Sequence, residues 1–321
     1  MAQIAVFPAA GKIGSSIYIH LSELLPAKEL LLISRHPEKI PSRLVEAGVA
    51  TRKADYNDAD SLDHVFDGVS CLVLISYPSI ERDHRFEVHK SAIDAAHRSG
   101  VSHIFYTSLA FGGDCTASSV AHVMQAHLKT ENHLKTLASE SAERSDKAPV
   151  TFTAIREGIY SESFPMYTGC PDLHNLPEEV KIPHDGSGPG IAFAKIDDLG
   201  EATAKLVKEY LDGSGSFRYR NQVMLLSGPR VWGLGDVVKM LGEMEGKGLK
   251  VNQVNKEEYV AEPRVRELLG SHGPGKVPEQ WATSFDAVKR GECAVASVEL
   301  GRLLGRQPEG FEETMKKMVG G

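Results

Sequence analysis

The chain has 321 residues, and 41% hydrophobic with 25% charged residues is the composition of an ordinary globular protein. At roughly 100–200 residues per domain, this length predicts one large domain or two intimately packed ones. The net charge of -7, with basic residues scattered along the sequence, excludes the usual profile of a nucleic-acid-binding protein. The N-terminus lacks the basic region of a signal peptide, and no stretch approaches the ~20 apolar residues of a membrane span. We therefore predict a cytoplasmic protein with no membrane partner.

The cysteines also argue against two classes of site. Cys71, Cys115, Cys170 and Cys293 lie far apart and form no C-x-x-C pair, so neither a disulfide framework nor a zinc site is expected. The sequence has no H-E-x-x-H motif and no G-x-S-x-G motif. We therefore predict no bound metal and no hydrolase activity.

Residues 1–16 have the pattern of a strand, a loop and a helix that together bind an anion. Residues 4–7 (IAVF) are an unbroken apolar run, typical of a buried parallel strand, and Pro8 ends it. Gly11 and Gly14 follow, where helical spacing begins, and match the second and third glycines of the dinucleotide fingerprint, with Pro8 in place of the first. The first amides of a helix are unpaired and the macrodipole adds positive charge, so a pyrophosphate can bind there. An ordinary strand-to-helix turn is the alternative interpretation.

The end of the second predicted strand, residues 29–34, indicates which dinucleotide would bind. Sites specific for NAD carry an acidic residue there that holds the ribose hydroxyls. This chain instead has Ser34 and Arg35, with Lys39 one turn later. Because a guanidinium matches the oxygens of the 2′-phosphate of NADP, Arg35 favours NADP(H). A solvated arginine at a strand end is the alternative.

Further apolar runs alternate with helical stretches along the first half of the chain. The next predicted strands are residues 49–54, 69–76, 103–110 and 150–156, with a short helix at 61–66. Helical stretches of ten or more residues between later strands require crossover connections, which predict an α/β fold with a mostly parallel sheet and helices on both faces. Ligands bind at the carboxyl ends of such strands. There Asp55 would accept a hydrogen bond from adenine or cap a helix, and Tyr77 would lie beside the cofactor.

The pattern changes after residue 160. Residues 161–190 are rich in proline and glycine with little periodicity, and a loop of this length is usually functional or a lid. Beyond it the predicted elements are strands at 191–194, 222–227 and 249–254 and helices at 198–211, at 237–244 and in the last part of the chain. We predict that residues 161–321 form a substrate-side lobe interleaved with a dinucleotide-binding domain of residues 1–160.

Several short segments in a fixed order resemble the NmrA-like group of atypical short-chain dehydrogenases/reductases, and within it the type 2 NADPH:quinone oxidoreductases. These segments are residues 7–14 (FPAAGKIG), 34–39 (SRHPEK), 54–58 (ADYND), 104–109 (IFYTSL), 156–162 (REGIYSE), 291–297 (GECAVAS) and 303–306 (LLGR). The resemblance implies a Rossmann-type doubly wound parallel sheet with a smaller C-terminal α+β lobe that closes a cleft. It also implies that NADPH or NADP+ binds across the strand ends. The predicted cofactor-binding residues are Gly11, Lys12, Ile13, Gly14, Arg35, Lys39, Asp55, Ser76, Tyr77, Ser108 and Gly158.

The catalytic pair of the standard short-chain reductases is missing. Those enzymes use a tyrosine as proton donor and a lysine four residues later, and none of the nine tyrosines here has that lysine. By resemblance, the lysine position holds His127, which can donate a proton near neutral pH; an exposed helix histidine is the alternative. Hydride addition to a quinone gives an aromatic phenolate, for which a weak hydrogen bond from His127, Tyr160 or an amide near Gly158 suffices. We therefore predict direct hydride transfer from NADPH to a quinone, enone or aromatic carbonyl, without flavin.

Two other functions stay open at this point. A non-catalytic regulator that senses NADP(H) would have the same cofactor site without an acid–base group. A dedicated reductase or isomerase of polyketide-type metabolism would use Phe164, Met166 and Tyr167 to shape an apolar pocket, although such residues more often pack a lobe. The expected partner is a small molecule, and a homodimer is a further hypothesis.

Overall fold

The computed structural model describes residues 4–143, 149–168, 173–213, 216–270 and 276–320; Cys170 lies outside the described residues. The strands are β1 (Ile4–Phe7), β2 (Leu30–Ser34), β3 (Ala50–Lys53), β4 (Cys71–Leu74), β5 (His103–Leu109), β6 (Thr151–Glu157), β7 (Glu179–Ile182), β8 (Gln222–Leu226) and β9 (Lys250–Gln253). The α-helices are α1 (Gly11–Leu24), α2 (Ser42–Glu46), α3 (Arg82–Arg98), α4 (His122–Ala142), α5 (Phe164–Thr168), α6 (Ile196–Asp212), α7 (Leu234–Met244), α8 (Lys256–Ala261), α9 (Pro263–Gly270), α10 (Val277–Lys289), α11 (Val298–Leu304) and α12 (Phe311–Gly320). Short 3-10 helices span Ala27–Glu29, Pro37–Lys39, Ala59–Leu62 and Ser161–Ser163.

Seven of these strands form one parallel sheet in the order β3-β2-β1-β4-β5-β6-β8. Strands β1, β2 and β4 are buried at every position, as expected for unbroken apolar runs covered on both faces. The chain moves outward from β1 to β3 and then returns to the other side of β1 with β4. The carboxyl ends of β1 and β4 therefore flank a topological switch point, where ligands bind in folds of this kind.

Helices cover both faces of the sheet, which confirms the predicted Rossmann-type α/β fold. On one face α1, α6 and α11 pack in a cluster that includes Val6, Ile17 and Leu206, all fully buried. On the other face α3 and α4 contribute to a cluster with Phe7 and Ile93. Helices on opposite faces of a parallel sheet follow from right-handed crossovers that reverse direction at the switch point.

Helices α1 and α6 approach closely at one glycine. A Cβ atom at Gly200 would lie 2.1 Å from the Ser16 hydroxyl oxygen, so any larger residue would push the helices apart. The Ser16 hydroxyl also donates to the Asp197 carboxylate at 2.9 Å. Because α6 comes from the second half of the chain, this contact ties that half to the first helix.

A third apolar cluster joins much of the C-terminal part of the chain to residues of the first half such as Phe111 and Met124. Strands β7 and β9 pair in parallel, and α5, α7, α10 and α12 pack around this cluster, which contains the fully buried Phe164 and Tyr167. Phe193 and Phe311 stack within it with ring centroids 4.3 Å apart. Phe164 and Tyr167 are therefore packing residues of the lobe. No described helix is long and apolar enough to cross a bilayer.

Three local predictions were wrong. Residues 191–194 form only isolated bridges, with Tyr160 and Trp232, because their hydrogen bonds go to loops on both sides. The helix expected at 61–66 is the 3-10 turn Ala59–Leu62. The segment 161–190 contains a 3-10 turn, α5 and β7, and β7 forms by pairing with a strand about 70 residues later in the chain, a long-range contact without local signal.

Candidate active-site cleft

A cleft of about 650 Å³ lies at the carboxyl ends of β1, β2, β3 and β4 and reaches the loop after β6. Of the predicted site residues, those that line it are Gly11, Lys12, Ile13, Arg35, Lys39, Asp55, Ser76, Tyr77 and Tyr160. Residues from five separate loops thus meet in one cavity, because parallel strands present their carboxyl ends at the same edge of the sheet.

The N-terminus of α1 forms the middle of the cleft floor. Ala10 stands at the N-cap position with extended backbone and has no side-chain oxygen with which to cap the helix. Gly11 has φ +70°, a left-handed conformation that favours glycine, and a Cβ at Gly14 would lie 2.9 Å from the Pro8 carbonyl oxygen. The uncapped amides and the small residues around them fit a pyrophosphate.

The outer end of the cleft is charged and exposed. Arg35 and Lys39 lie at its edge, and the Arg35 guanidinium is 3.9 Å from the carboxylate of Asp55. The Arg35 side chain is 60% exposed and that of Asp55 32%. Two cations within reach of the β2 and β3 ends fit a 2′-phosphate, and Asp55 is placed to contact an adenosine group.

A buried cation lies behind Ser76, which lines the inner end of the cleft. The Arg85 guanidinium, on α3, donates to the Ser76 hydroxyl from Nε at 3.2 Å and from Nη2 at 2.8 Å. No carboxylate of the described residues lies within ion-pair distance of it. Burial lowers the pKa of Arg85, and the neighbouring Tyr106, Tyr160 and Tyr56 oppose that effect. The positive charge just behind Ser76 therefore has no neutralising partner within the part of the chain that the structure describes.

His89 fixes the orientation of the residues beside this cation. Its Nε2 accepts the backbone N–H of Tyr77 at 2.8 Å and lies 3.1 Å from the Ser76 hydroxyl oxygen. Nδ1 lies 3.0 Å from the Thr130 hydroxyl oxygen. This pattern assigns the neutral tautomer with the proton on Nδ1. Burial and the nearby Arg85 charge hold the pKa of His89 well below its ordinary value, which keeps the ring neutral.

His127 lies deeper than predicted and is not exposed. Its Nδ1 is 2.9 Å from the Tyr106 hydroxyl oxygen, and its Nε2 is buried without a partner among the described residues. Burial, followed by the charge of Arg85, holds the pKa of His127 well below its ordinary value. The imidazole is therefore neutral, and it contacts the cleft-lining Ser76 only through Tyr106, whose hydroxyl oxygen is 3.5 Å from that of Ser76.

Tyr160 lines the cleft and has a buried acid behind it. Its hydroxyl donates to Glu157 Oε2 at 2.5 Å. Burial raises the pKa of Glu157 to about 8, and burial followed by the Glu157 charge raises the pKa of Tyr160 well above its ordinary value. At neutral pH the pair is uncharged.

Four of the predicted site residues do not line the cleft: Gly14, Ser108, His127 and Gly158. Gly14 shapes the α1 loop, and Ser108 donates to Glu131 at 2.7 Å beside the buried Glu131–Arg156 ion pair. Gly158 lies against β8, where a Cβ would be 3.0 Å from the Ser227 backbone. Their roles toward a cofactor stay predictions.

Sequence reasoning missed Arg85, His89, Tyr106 and Glu157. The i, i+4 spacing of Arg85 and His89 on one helix face was the available signal for those two residues. This spacing does not show which strand end the side chains reach.

The NmrA-like family profile matches residues 1–263. The chain belongs to the NmrA-like family. Among relatives of this family, the NmrA-like family domain-containing oxidoreductase flvB of Aspergillus flavus is 30% identical over 319 residues, which cover 97% of this chain and 93% of the relative. Quinone oxidoreductase 2 of Escherichia coli is 28% identical over 316 residues, 98% of either chain.

Solved structures of two reductases have the same overall fold as this chain. The triphenylmethane reductase of Citrobacter sp., complexed with NADP(H), superposes with a TM-score of 0.74 at 26% identity, covering 98% of this chain and 99% of that one. The NADPH-dependent quinone oxidoreductase QOR2 of Escherichia coli, complexed with NADPH, has a TM-score of 0.75 at 25% identity with the same coverage.

Proposed function

We propose that this chain is an NADPH-dependent reductase that transfers a hydride directly to a quinone or to a related enone or aromatic carbonyl. The observation that carries the proposal is the one cleft that joins an exposed cation pair, Arg35 and Lys39, to the phenol of Tyr160. The names of the relatives support it, because they include a quinone oxidoreductase and two structures with bound NADP(H) or NADPH.

The cleft residues fit the parts of NADPH in order. The amides of Gly11, Lys12 and Ile13 would bind the pyrophosphate, and Arg35 with Lys39 would bind the 2′-phosphate. Asp55 would contact the adenosine. Ser76 and Tyr77 lie in the loop that follows β4 at the switch point, so they would flank the nicotinamide.

When bound, NADPH supplies the hydride. The protein must then stabilise the negative charge that develops on the substrate oxygen and deliver a proton to it. Tyr160 lines the cleft and would deliver that proton once its hydroxyl, which donates to Glu157 in the structure, turns toward the substrate. The uncompensated Arg85 cation behind Ser76 lowers the energy of negative charge at this end of the cavity. The catalytic role of His127 stays a prediction, and in this geometry it would act through Tyr106.

The remaining parts of the proposal concern the whole molecule. We propose that residues 161–321 form the substrate-side lobe, although α6, β8 and α11 of that range also complete the main sheet and its layers. A cytoplasmic location and a homodimer stay predictions.

The test is oxidation of NADPH, followed by absorbance with a panel of small quinones and enones, with NADH in parallel. We expect turnover of at least one quinone, with a clear preference for NADPH. NADPH binding without turnover of any compound would instead favour a sensor of NADP(H). Turnover with equal preference for the two cofactors would contradict the role of Arg35 and Lys39.

A further inference from the structure

Glu157 is a buried acid that the cofactor site does not need. It ends β6, its side chain is 1% exposed, and its strand neighbours on both sides, Leu109 and Leu226, are apolar. Among the described residues, no cationic side chain lies within ion-pair distance of the carboxyl group. An ionised carboxylate in such a place would be costly, whereas a protonated one is tolerated.

The bonding of this carboxyl group is incomplete. Oε2 accepts from the Tyr160 hydroxyl at 2.5 Å, and Oε1 has no partner among the described residues. Tyr160 in turn lines the cleft. The acid is therefore connected to the cavity through one phenol and through no other described side chain.

We propose that Glu157 is the positioning residue and proton source behind Tyr160, so that Glu157 and Tyr160 replace the missing tyrosine–lysine pair of the reaction. This inference rests on the proposed function. It names which residue restores the proton that Tyr160 gives up.

The proton transfer balances as follows. The substrate gains two electrons and one hydrogen with the hydride, and one of its oxygens becomes a phenolate. The O–H bond of Tyr160 breaks as its proton moves to that oxygen, and a proton from the Glu157 carboxyl group forms a new O–H bond on Tyr160. After product leaves, a solvent proton returns through Tyr160 to Glu157. The net reaction is NADPH, quinone and one proton to NADP+ and hydroquinone.

In the structure Tyr160 donates to Glu157, and the sequence needs this hydrogen bond to reverse when the carboxyl group is protonated on Oε2. With an ionised carboxyl group, Tyr160 can only donate to Glu157. With the proton on Oε2, the carboxyl group donates to Tyr160, and the phenol proton is free to point into the cleft. The proton on the acid therefore decides whether Tyr160 can act as a donor.

The charged groups around the pair do not replace Glu157. Arg85 on α3 and Glu162 in the 3-10 turn both act on Tyr160, and they oppose each other there. The buried Arg156 and Glu131 neutralise each other beside α4. The Glu162 carboxylate accepts the backbone N–H of Ile196, which occupies it. Burial also raises the pKa of Glu162, and Glu162 acts on Tyr160, so it supplies the control.

The test compares wild type with Glu157→Gln and Glu162→Gln in single-turnover reduction of a small 1,4-quinone at saturating NADPH, between pH 6 and pH 10. Since burial raises the pKa of Glu157 to about 8, the wild-type rate should fall as the pH rises through about 8. Glu157→Gln cannot supply the proton, so its rate should be about 100-fold lower and independent of pH in that range. Its Kd for NADPH should equal that of wild type, and Glu162→Gln should keep the fall near pH 8.

A second measurement does not depend on turnover. Infrared difference spectra at pH 7 should show the C=O band of a protonated carboxyl group in wild type that is absent from Glu157→Gln. A missing band, or a Glu157→Gln rate with the wild-type pH profile, would overturn the relay while leaving the reductase intact. Failure of wild type to reduce any quinone, with the band present, would overturn the proposed function and the relay with it.

Discussion

The two ends of the cleft hold their charges in opposite ways. At the outer end Arg35 and Asp55 form a long, exposed contact of 3.9 Å that water screens. At the inner end Arg85, His89, Tyr106 and Glu157 are buried, and their protonation states are set by burial and by each other. The outer end can therefore recognise a charged ligand at little cost in stability. At the inner end, the stability of the fold and the proposed proton transfer depend on the protonation states of the same buried groups.

The effect of burial on a charge is largest at the Glu131–Arg156 ion pair, whose arginine also lowers the pKa of His127. Arg156 donates to both carboxylate oxygens of Glu131, from Nε at 2.9 Å and from Nη2 at 2.7 Å, and both side chains are nearly inaccessible. Glu131→Ala leaves a buried guanidinium unpaired, which costs about 3–5 kcal/mol of unfolding free energy. Urea denaturation measures this loss: the midpoint urea concentration should fall, while the dependence of the unfolding free energy on urea concentration stays the same.

A matched exposed carboxylate provides the control. Asp83 contacts both Arg82 and Lys129, and its side chain is 62% exposed. We expect Asp83→Ala to leave the urea midpoint nearly unchanged, because water replaces the lost contacts. Equal losses in the two variants would contradict the contrast between buried and exposed charge.

The sequence predicts most of the sheet and one end of the cleft. Unbroken apolar runs such as residues 4–7 need burial on both faces, so local composition alone indicates a central parallel strand. The place of Arg35 in the cleft was also predictable, because the end of the second strand lies beside the ribose site in dinucleotide-binding Rossmann folds. Whether Arg35 reads the 2′-phosphate stays a prediction.

The inner network could not be predicted in the same way. Tyr106 meets His127 21 residues later in the chain, and His89 meets Thr130 41 residues later, so both contacts depend on how α3 and α4 pack on β5. Nothing local in the sequence marks Glu157 as buried. The prediction of a strand at residues 191–194 was wrong for a related reason, because an apolar run does not show whether a neighbouring strand is available for pairing.

A second stability measurement tests the uncharged state of the inner end. Below about pH 4.5 Glu157 is protonated in the folded and in the unfolded chain. As the pH rises the unfolded chain ionises first, and because the folded pKa is raised to about 8, the stability that this group contributes is lost between those values. Glu157→Gln removes this dependence. Relative to wild type, it should gain on the order of a few kcal/mol between pH 5 and pH 9.

Thermal unfolding of both proteins across that range measures the change. The difference in Tm between variant and wild type at pH 5 is compared with that at pH 9. The hydrogen bond that the variant loses affects both differences equally. A constant difference in Tm at all pH values would show that Glu157 is ionised in the folded protein.

At the outer end, Arg35→Ser should change cofactor choice and leave stability almost unchanged. Loss of charge-assisted hydrogen bonds to a 2′-phosphate costs about 1.5–3 kcal/mol, so the Kd for NADPH should rise about 10–100-fold while that for NADH changes little. Fluorescence titration measures both. Arg43→Ser, on the exposed side of α2, is the control and should affect neither constant. Equal losses for NADPH and NADH would remove Arg35 from phosphate recognition.

Asp55→Asn should have the smallest effect, and its sign separates two roles of that carboxylate. Asp55 lies beside Arg35 and repels a 2′-phosphate bound there, so its neutralisation should raise the preference for NADPH over NADH by a few-fold at low salt. Any lost hydrogen bond to adenine weakens both cofactors equally, because both carry the same adenine. The ratio of the Kd for NADH to the Kd for NADPH therefore reports the charge effect alone. The increase of this ratio in the variant should disappear at high salt, because salt screens the exposed pair. An increase in the ratio that persists at high salt would mean that this end of the cleft is less hydrated than its exposure indicates.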